Sequence, residues 1–340
     1  MRWWDWLNFR GEEQRRQGQL QRRAVIALGG GGARGLAHLG AMQAIGESGI
    51  RTERIVGVSM GSLIGGMCAV EPDILKVQAK AIEFLRSPTF QSKQRALFGE
   101  AASEIPEDSP GIFAWYNRMM RFVSAHRQFN RAVTLPSLMP SVAIQDAIER
   151  LLPDIDLQDL SLPLSVVCVD LLSGHRVVLE TGSLRNAVRA SMAIPGVYPP
   201  VRWDAMLLCD IGVFDSLPNK IAQSYASDLT IGVDVGQERS AIAQCGTALD
   251  VMMRMQDIGE QLLRRHVHSA ADLVIQPKVG HVSWFDFSDP ESLVQAGLSA
   301  GHHALLRLNN RATPMAMIDP SMRFNGEATG AATQASLKTA

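Results

Sequence analysis

What this chain lacks narrows its class. No apolar run approaches the ~18 residues that a membrane-spanning helix needs, so no transmembrane segment is expected. Cysteine is scarce: Cys68, Cys168, Cys209 and Cys245 are scattered, with no CxxC or Cys/His ligand spacing. That excludes a disulfide framework and a zinc module, and the four read as buried thiols of a reducing compartment. Charge of either sign is not in excess. A net charge of −1 and a sequence pI of 6.7 give no basic field for nucleic acid. The N-terminus has no apolar core ending in a small-residue cleavage site, so it does not read as a secretory signal. No internal repeat is found.

What is present is 340 residues, 46% of them hydrophobic, enough for one large domain or two ordinary ones. The mean hydropathy of +0.02 fits a buried sheet plus some apolar access surface. Residues 1–23 form an arm rich in aromatic and basic side chains. Trp3, Trp4, Trp6, Leu7 and Phe9 come first, then Arg10, Arg15, Arg16, Arg22 and Arg23. Trp beside Arg suits a membrane interface; docking on the chain's own domain or on a partner is the plainer reading.

Beyond the arm, Ala24–Leu28 is all apolar, as for a strand buried on both faces of a parallel sheet. A helix is expected over 35–48, a second strand over 54–58, and a small-residue helix over 60–70. Two βα units in succession argue for an α/β fold with parallel central strands. Residues 72–160 break the rhythm with helical and loop-like stretches punctuated by Pro106, Pro110, Pro136 and Pro140. Within them, 112–123 is an aromatic- and Met-rich helix candidate, either part of a cap that admits an acyl chain or a core-packing helix. Strands are expected again at Leu164–Val169, Arg176–Glu180, Met206–Cys209, Leu229–Val235 and Leu273–Gln276. Helices are expected from Ser183 to Ala190, over 247–266 and over 289–307. The Ala/Gly/Ser/Thr-rich end, 311–340, reads as a disordered tail.

Two glycine motifs carry the chemistry. Gly57-Val58-Ser59-Met60-Gly61 lies between a strand and a helix. This is the nucleophile-elbow pattern: a serine on a strained turn, with glycines removing the Cβ atoms that would collide with the neighbouring strand and helix. The bland alternative is a helix-capping serine. Gly29-Gly30-Gly31-Gly32-Ala33-Arg34-Gly35 also joins a strand to a helix, and its backbone N–H groups can hold an oxyanion. It equally satisfies G-x-G-x-x-G, but a dinucleotide site wants an acid at the end of the second strand, where Ser59 stands. No G-K-[ST] follows, so it is not a phosphate-binding Walker loop. An oxyanion hole explains both motifs; a dinucleotide site explains one.

A serine nucleophile needs a base. Asp210 follows the apolar run Met206–Cys209, where doubly wound sheets keep their chemistry. His266, His268, His281, His302 and His303 are the histidine alternatives and read as surface or capping residues. Asp215 is a fallback carboxylate.

At this point the chain resembles the patatin-like phospholipases. The three signatures are Gly30-Gly31-Gly32-Ala33-Arg34-Gly35, Gly57-Val58-Ser59-Met60-Gly61 and Asp210-Ile211-Gly212, in that order. Arg189-Ala190-Ser191-Met192-Ala193-Ile194-Pro195-Gly196, Tyr198-Pro199-Pro200 and Leu217-Pro218 extend the match, which runs from about residue 24 to about 280. The resemblance implies a three-layer α/β/α fold with a mainly parallel central sheet, forming one domain over 24–310 with 72–160 as a cap-like helical insertion. It implies a serine–aspartate dyad with Ser59 as nucleophile and Asp210 as general base, and an oxyanion hole built from Gly30, Gly31, Gly32, Ala33 and Arg34. It implies hydrolysis of phospholipid, lysophospholipid or another acyl-ester lipid, with no cofactor and no metal. The thiols of a reducing compartment point to a cytoplasmic protein, and the arm makes Trp3, Trp4 and Trp6 candidates for a peripheral membrane contact. Two departures carry a second reading, a catalytically silent regulatory or adaptor protein. Ile211 stands where the family usually has glycine, and a β-branched residue resists left-handed backbone. Asp215-Ser216 stands where an asparagine pair is common.

Overall fold

Arg23–Leu28 forms β1 at the centre of the sheet. Its even-numbered side chains, Ala24, Ile26 and Leu28, enter one core, whereas Val25 and Ala27 enter another on the opposite face. Burial on both faces is why the strand shows no polar alternation. The computed structural model describes residues 22–98, 137, 142–236, 245 and 248–312. The aromatic-basic arm, the 112–123 helix candidate and the tail lie outside these.

A 3-10 turn, Gly32–Leu36, leads from β1 into α1 (Ala37–Glu47). β2 (Arg51–Val58) and α2 (Met60–Val70) follow, then α3 (Ile74–Arg86), α4 (Pro88–Phe98) and α5 (Val142–Leu151). β3 (Leu164–Asp170) and β4 (Arg176–Leu179) make an antiparallel pair. Next come α6 (Leu184–Ser191), β5 (Val201–Trp203), β6 (Met206–Cys209), α7 (Asn219–Gln223) and β7 (Leu229–Val233). α8 (Ala248–His268), β8 (Leu273–Ile275) and α9 (Pro290–Ala312) complete the described elements. Sequence patterning reached most of these within a few residues. It missed β5 and α7, which are too short to show a period, and did not place α3, α4 and α5 individually within the helical 72–160 stretch.

The sheet order is β5-β6-β3-β2-β1-β7-β8, with β4 also paired to β3. β3, β2, β1, β7 and β8 run parallel; β6 and β5 join antiparallel at one edge. The larger core lies under α1, α2, α3, α5, α6 and α9. On the other face Ala222 of α7 packs with Ile211, and α8 is tied to α7 by Asn219 Nδ2 donating to the Val267 carbonyl at 3.1 Å. The sheet is thus flanked by helices on both sides, as an α/β/α arrangement requires. Cys68, Cys168 and Cys209 are buried as expected; Cys245 is exposed.

Candidate active site

Ser59 sits between β2 and α2 with φ 54° and ψ −123°, a backbone that side-chain-bearing residues rarely adopt. Such strain persists only when surrounding structure over-determines it. Here the Ser59 N–H donates to Ser191 Oγ at 2.8 Å, and Ser191 Oγ donates to the Val167 carbonyl at 2.8 Å. A Cβ at Gly57 would lie 2.6 Å from the Gly61 carbonyl oxygen and from Ser62 Cα, and one at Gly61 would collide with the Leu28 carbonyl. Only glycines let the turn close this tightly.

Asp210 leaves β6 and is buried, 3% exposed. Its carboxylate accepts the Gly212 N–H at 2.7 Å. Burial pushes its pKa up from 3.8 to about 6, against the opposing pull of the nearby Ser59 hydroxyl and the Gly212 N–H. The nucleophile and base candidates, 151 residues apart in sequence, are thus brought to one cavity.

The position after Asp210 raised a question in the sequence. Among the described residues only Ser59 and Asp204 combine a side chain with positive φ, so Ile211 does not occupy left-handed backbone and its β-branch is not strained there. Ile211 is instead buried in the smaller core. Gly212 is the tight place, where a Cβ would stand 2.9 Å from Asp210 Oδ1.

Asp215, the fallback carboxylate, is ion-paired with Arg176. The downstream histidines also sit apart. His268 Nε2 lies 2.8 Å from Asp234 and His302 Nε2 lies 2.7 Å from Glu47, whereas His266, His281 and His303 are exposed. None lines the cavity that holds Ser59 and Asp210. His268 is thus engaged with a buried carboxylate rather than lying free at the surface.

The glycine loop borders Ser59: a Cβ at Gly30 would meet the Ser59 Cβ at 3.4 Å. Its N–H groups have separate fates. Gly29 N–H donates to the Val233 carbonyl (3.2 Å), Gly30 N–H to the Ser216 carbonyl (2.8 Å) and Ala33 N–H to the Trp284 carbonyl (2.5 Å). Gly31 and Gly32 line the cavity, and the described residues give their N–H groups no partner. Arg34 is buried and lines the cavity too; Ala33 does not.

From this polar floor the cavity, about 200 Å³, extends along an apolar arm. Met60, Leu63, Ile64 and Met67 of α2 contribute one face at i, i+3, i+4, i+7 spacing. Ala81, Phe84 and Leu85 of α3, Phe90 of α4, and Ile144 and Leu151 of α5 close around it. Helices of the 72–160 stretch thus supply much of the wall. Trp284 and Phe285, packed edge to face with centroids 5.7 Å apart, add another part. The sequence reading overlooked these two, together with His38 and Glu260, and quoted Ser191 without giving it a role. The Trp284-Phe285-Asp286-Phe287 cluster was a visible aromatic signal; the others announce themselves only in space. Among the described residues no group of three or more His, Cys, Asp or Glu side chains is arranged to hold a metal, and no helix is long and apolar enough to cross a membrane.

Residues 26–222, more than half of the chain, match the family model for patatin-like phospholipase. The chain belongs to the patatin-like phospholipase family. This patatin-like chain is 30% identical over 228 residues to an "uncharacterized NTE family protein" of Mycobacterium tuberculosis, covering 67% of this chain and 53% of that protein. It is 29% identical over 261 residues to human patatin-like phospholipase domain-containing protein 6, covering 76% of this chain and 16% of the human one. It therefore spans about half the length of the first relative and a small part of the second. Solved structures similar to it include VipD from Legionella pneumophila, with TM-score 0.42, 14% identity and coverage of 86% of this chain and 67% of VipD. The type III effector ExoU follows with TM-score 0.34, 13% identity and coverage of 86% and 53%.

Proposed function

We propose that the protein is a serine lipid acyl hydrolase working through a Ser59–Asp210 dyad, with residues 24–310 as its catalytic unit. The observation that carries this reading is the juxtaposition itself: a serine on strained backbone shares one cavity with a buried carboxylate whose pKa is raised to about 6. A raised pKa makes Asp210 a better base while leaving it ionised at neutral pH. Asp210 takes the hydroxyl proton as Ser59 Oγ attacks the acyl carbonyl. The N–H groups of Gly31 and Gly32 receive the developing oxyanion, each such donor being worth about 2.7–4 kcal/mol in the transition state. Collapse returns the proton from Asp210 to the departing alcohol and leaves an acyl-serine. Asp210 then deprotonates water as it attacks the acyl-serine, and collapse releases the fatty acid while Asp210 returns the proton to Ser59 Oγ.

The apolar arm supports a lipid acyl chain as the group transferred. Its α2 wall from Met60 to Met67 spans about 10 Å at 1.5 Å per residue. An extended chain advances about 1.2 Å per bond, so this wall accommodates roughly eight or nine carbons. Phospholipid, lysophospholipid and other acyl esters share this acyl half. The negative φ at Ile211 removes the backbone reason for reading the chain as silent.

The test is hydrolysis of nitrophenyl esters and a fluorescent lysophospholipid by wild type, Ser59→Ala and Asp210→Asn, each with and without EDTA. Activity lost in both variants and indifferent to EDTA supports the dyad. A folded wild type without activity would turn the reading toward a binding or adaptor role.

A further inference from the structure

We propose that His38 is a positioning residue: it clamps the Gly29–Gly30 peptide from one side while Ser216 holds it from the other, fixing the glycine loop that faces Ser59. This rests on the acyl-hydrolase reading above.

His38 lies in the first turn of α1 and is wholly buried. Its Nε2 is 2.8 Å from the Gly29 carbonyl oxygen. A carbonyl only accepts, so Nε2 carries the hydrogen and Nδ1 is the bare nitrogen of a neutral ring. The ring stays neutral because burial lowers its pKa from 6.5 to about 4. Among the described residues Nδ1 has no hydrogen-bond partner. Leucine would fill the same space without burying an unpartnered nitrogen, a cost that interiors avoid. The imidazole is thus accounted for by the bond that its other nitrogen makes.

That bond falls at a useful place. Gly29 is one residue past the end of β1, and its carbonyl belongs to the same planar unit as the Gly30 N–H. The Gly30 N–H donates to the Ser216 carbonyl at 2.8 Å, so the plane is gripped at both ends. Gly31 and Gly32, with their unpartnered N–H groups, come next in the chain. Ser216 is itself anchored: its Oγ donates to Glu260 Oε1 at 2.6 Å. Glu260 Oε1 lies 3.2 Å from Arg264 Nε, and Arg264 Nη1 donates to both oxygens of Asp234 at 3.0 and 3.1 Å. Ser216, one of the three positions that depart from the family pattern, is thus tied through α8 to the end of β7. A glycine loop has little stiffness of its own, and the clamp supplies it from outside.

The experiment uses the full chain and compares His38→Gln with His38→Asn and His38→Leu. A Gln amide reaches the place of Nε2, whereas an Asn amide reaches only that of Nδ1. With a short nitrophenyl ester, His38→Leu and His38→Asn are expected to lose about tenfold to a hundredfold in kcat, the scale of a small misplacement of reacting groups. KM stays within about twofold and His38→Gln recovers most of kcat, as expected for an interaction used in the transition state. Hydrogen exchange at the Gly30 amide gives a second readout independent of turnover. It speeds up in His38→Leu and His38→Asn and returns toward the wild-type rate in His38→Gln. Unchanged kcat and unchanged exchange in a folded His38→Asn or His38→Leu would overturn the clamp. Equal losses in the Gln and Asn variants would assign His38 to packing and overturn it as well. A wild type without esterase activity, but with Gly30 exchange responding as described, would keep the clamp and refute the catalytic reading instead.

Discussion

Asp210→Asn is expected to make the protein inactive and more stable at the same time. In the folded state Asp210 holds its proton up to a pH of about 6, against 3.8 in the unfolded chain. Between those values unfolding releases a proton, so raising the pH favours unfolding and the wild type loses stability. Above pH 6 both states are ionised and the full penalty applies. A rise of about two units at ~1.4 kcal/mol each comes to about 3 kcal/mol. The asparagine side chain carries no charge to desolvate, its oxygen can still accept the Gly212 N–H, and its amide can donate to Ser59. Thermal unfolding of both proteins from pH 4 to 8 is the assay. Their melting temperatures should nearly coincide at pH 4, separate as the pH rises to 6, and stay apart by about 5 °C above it. In the wild type kcat/KM should rise through the same pH range, because only ionised Asp210 can take the serine proton. A variant no more stable than wild type at pH 7.5, or a kcat/KM flat between pH 5 and 8, would refute the argument that Asp210 is a base held ionised at a cost by burial.

Ser59→Gly should abolish hydrolysis while stabilising the fold by about 1 kcal/mol in denaturant unfolding, since glycine adopts φ 54° without strain. Ser191→Ala removes the acceptor of the Ser59 N–H and should cost about 1–3 kcal/mol together with a fall in kcat. Restoring the family-like glycine by Ile211→Gly should bring no gain in kcat/KM and should cost at least about 2 kcal/mol of stability, because position 211 needs no positive φ and its side chain fills a core. Ala81→Phe should narrow the apolar arm, leaving butyrate ester hydrolysis intact while reducing turnover of esters longer than about eight carbons.

Much of the frame was legible in the sequence because its signals are local. The run at 24–28, the small-residue helix at 60–70 and the glycines at 57 and 61 each record a packing demand within a few residues of themselves. Ser59 and Asp210 could be named for the same reason: each ends an apolar strand. The details of the loop were not legible. Nothing in Gly30-Gly31-Gly32-Ala33 says which N–H groups are already engaged, because the carbonyls of Ser216 and Trp284 that engage two of them come from more than 180 residues away. His38 and Glu260 carry no local signal of their roles in the sequence. Their burial follows from where α1 and α8 lie against the ends of β1 and β7, which no local pattern encodes. The concern over Ile211 arose from a family habit, and the backbone at that position answers it.

The sheet is parallel where it holds Ser59 and turns antiparallel at the edge that delivers Asp210. Ser59 and Asp210 therefore belong to parts of the chain that emerge far apart during synthesis. A chain elongated only as far as β3 has the elbow without Asp210, and pairing of β6 with β3 at Val169–Cys209 and Asp170–Leu208 is what brings the two together. Non-local pairing of this kind tends to come late in folding. Under the proposed dyad, hydrolytic competence is withheld until the sheet is complete.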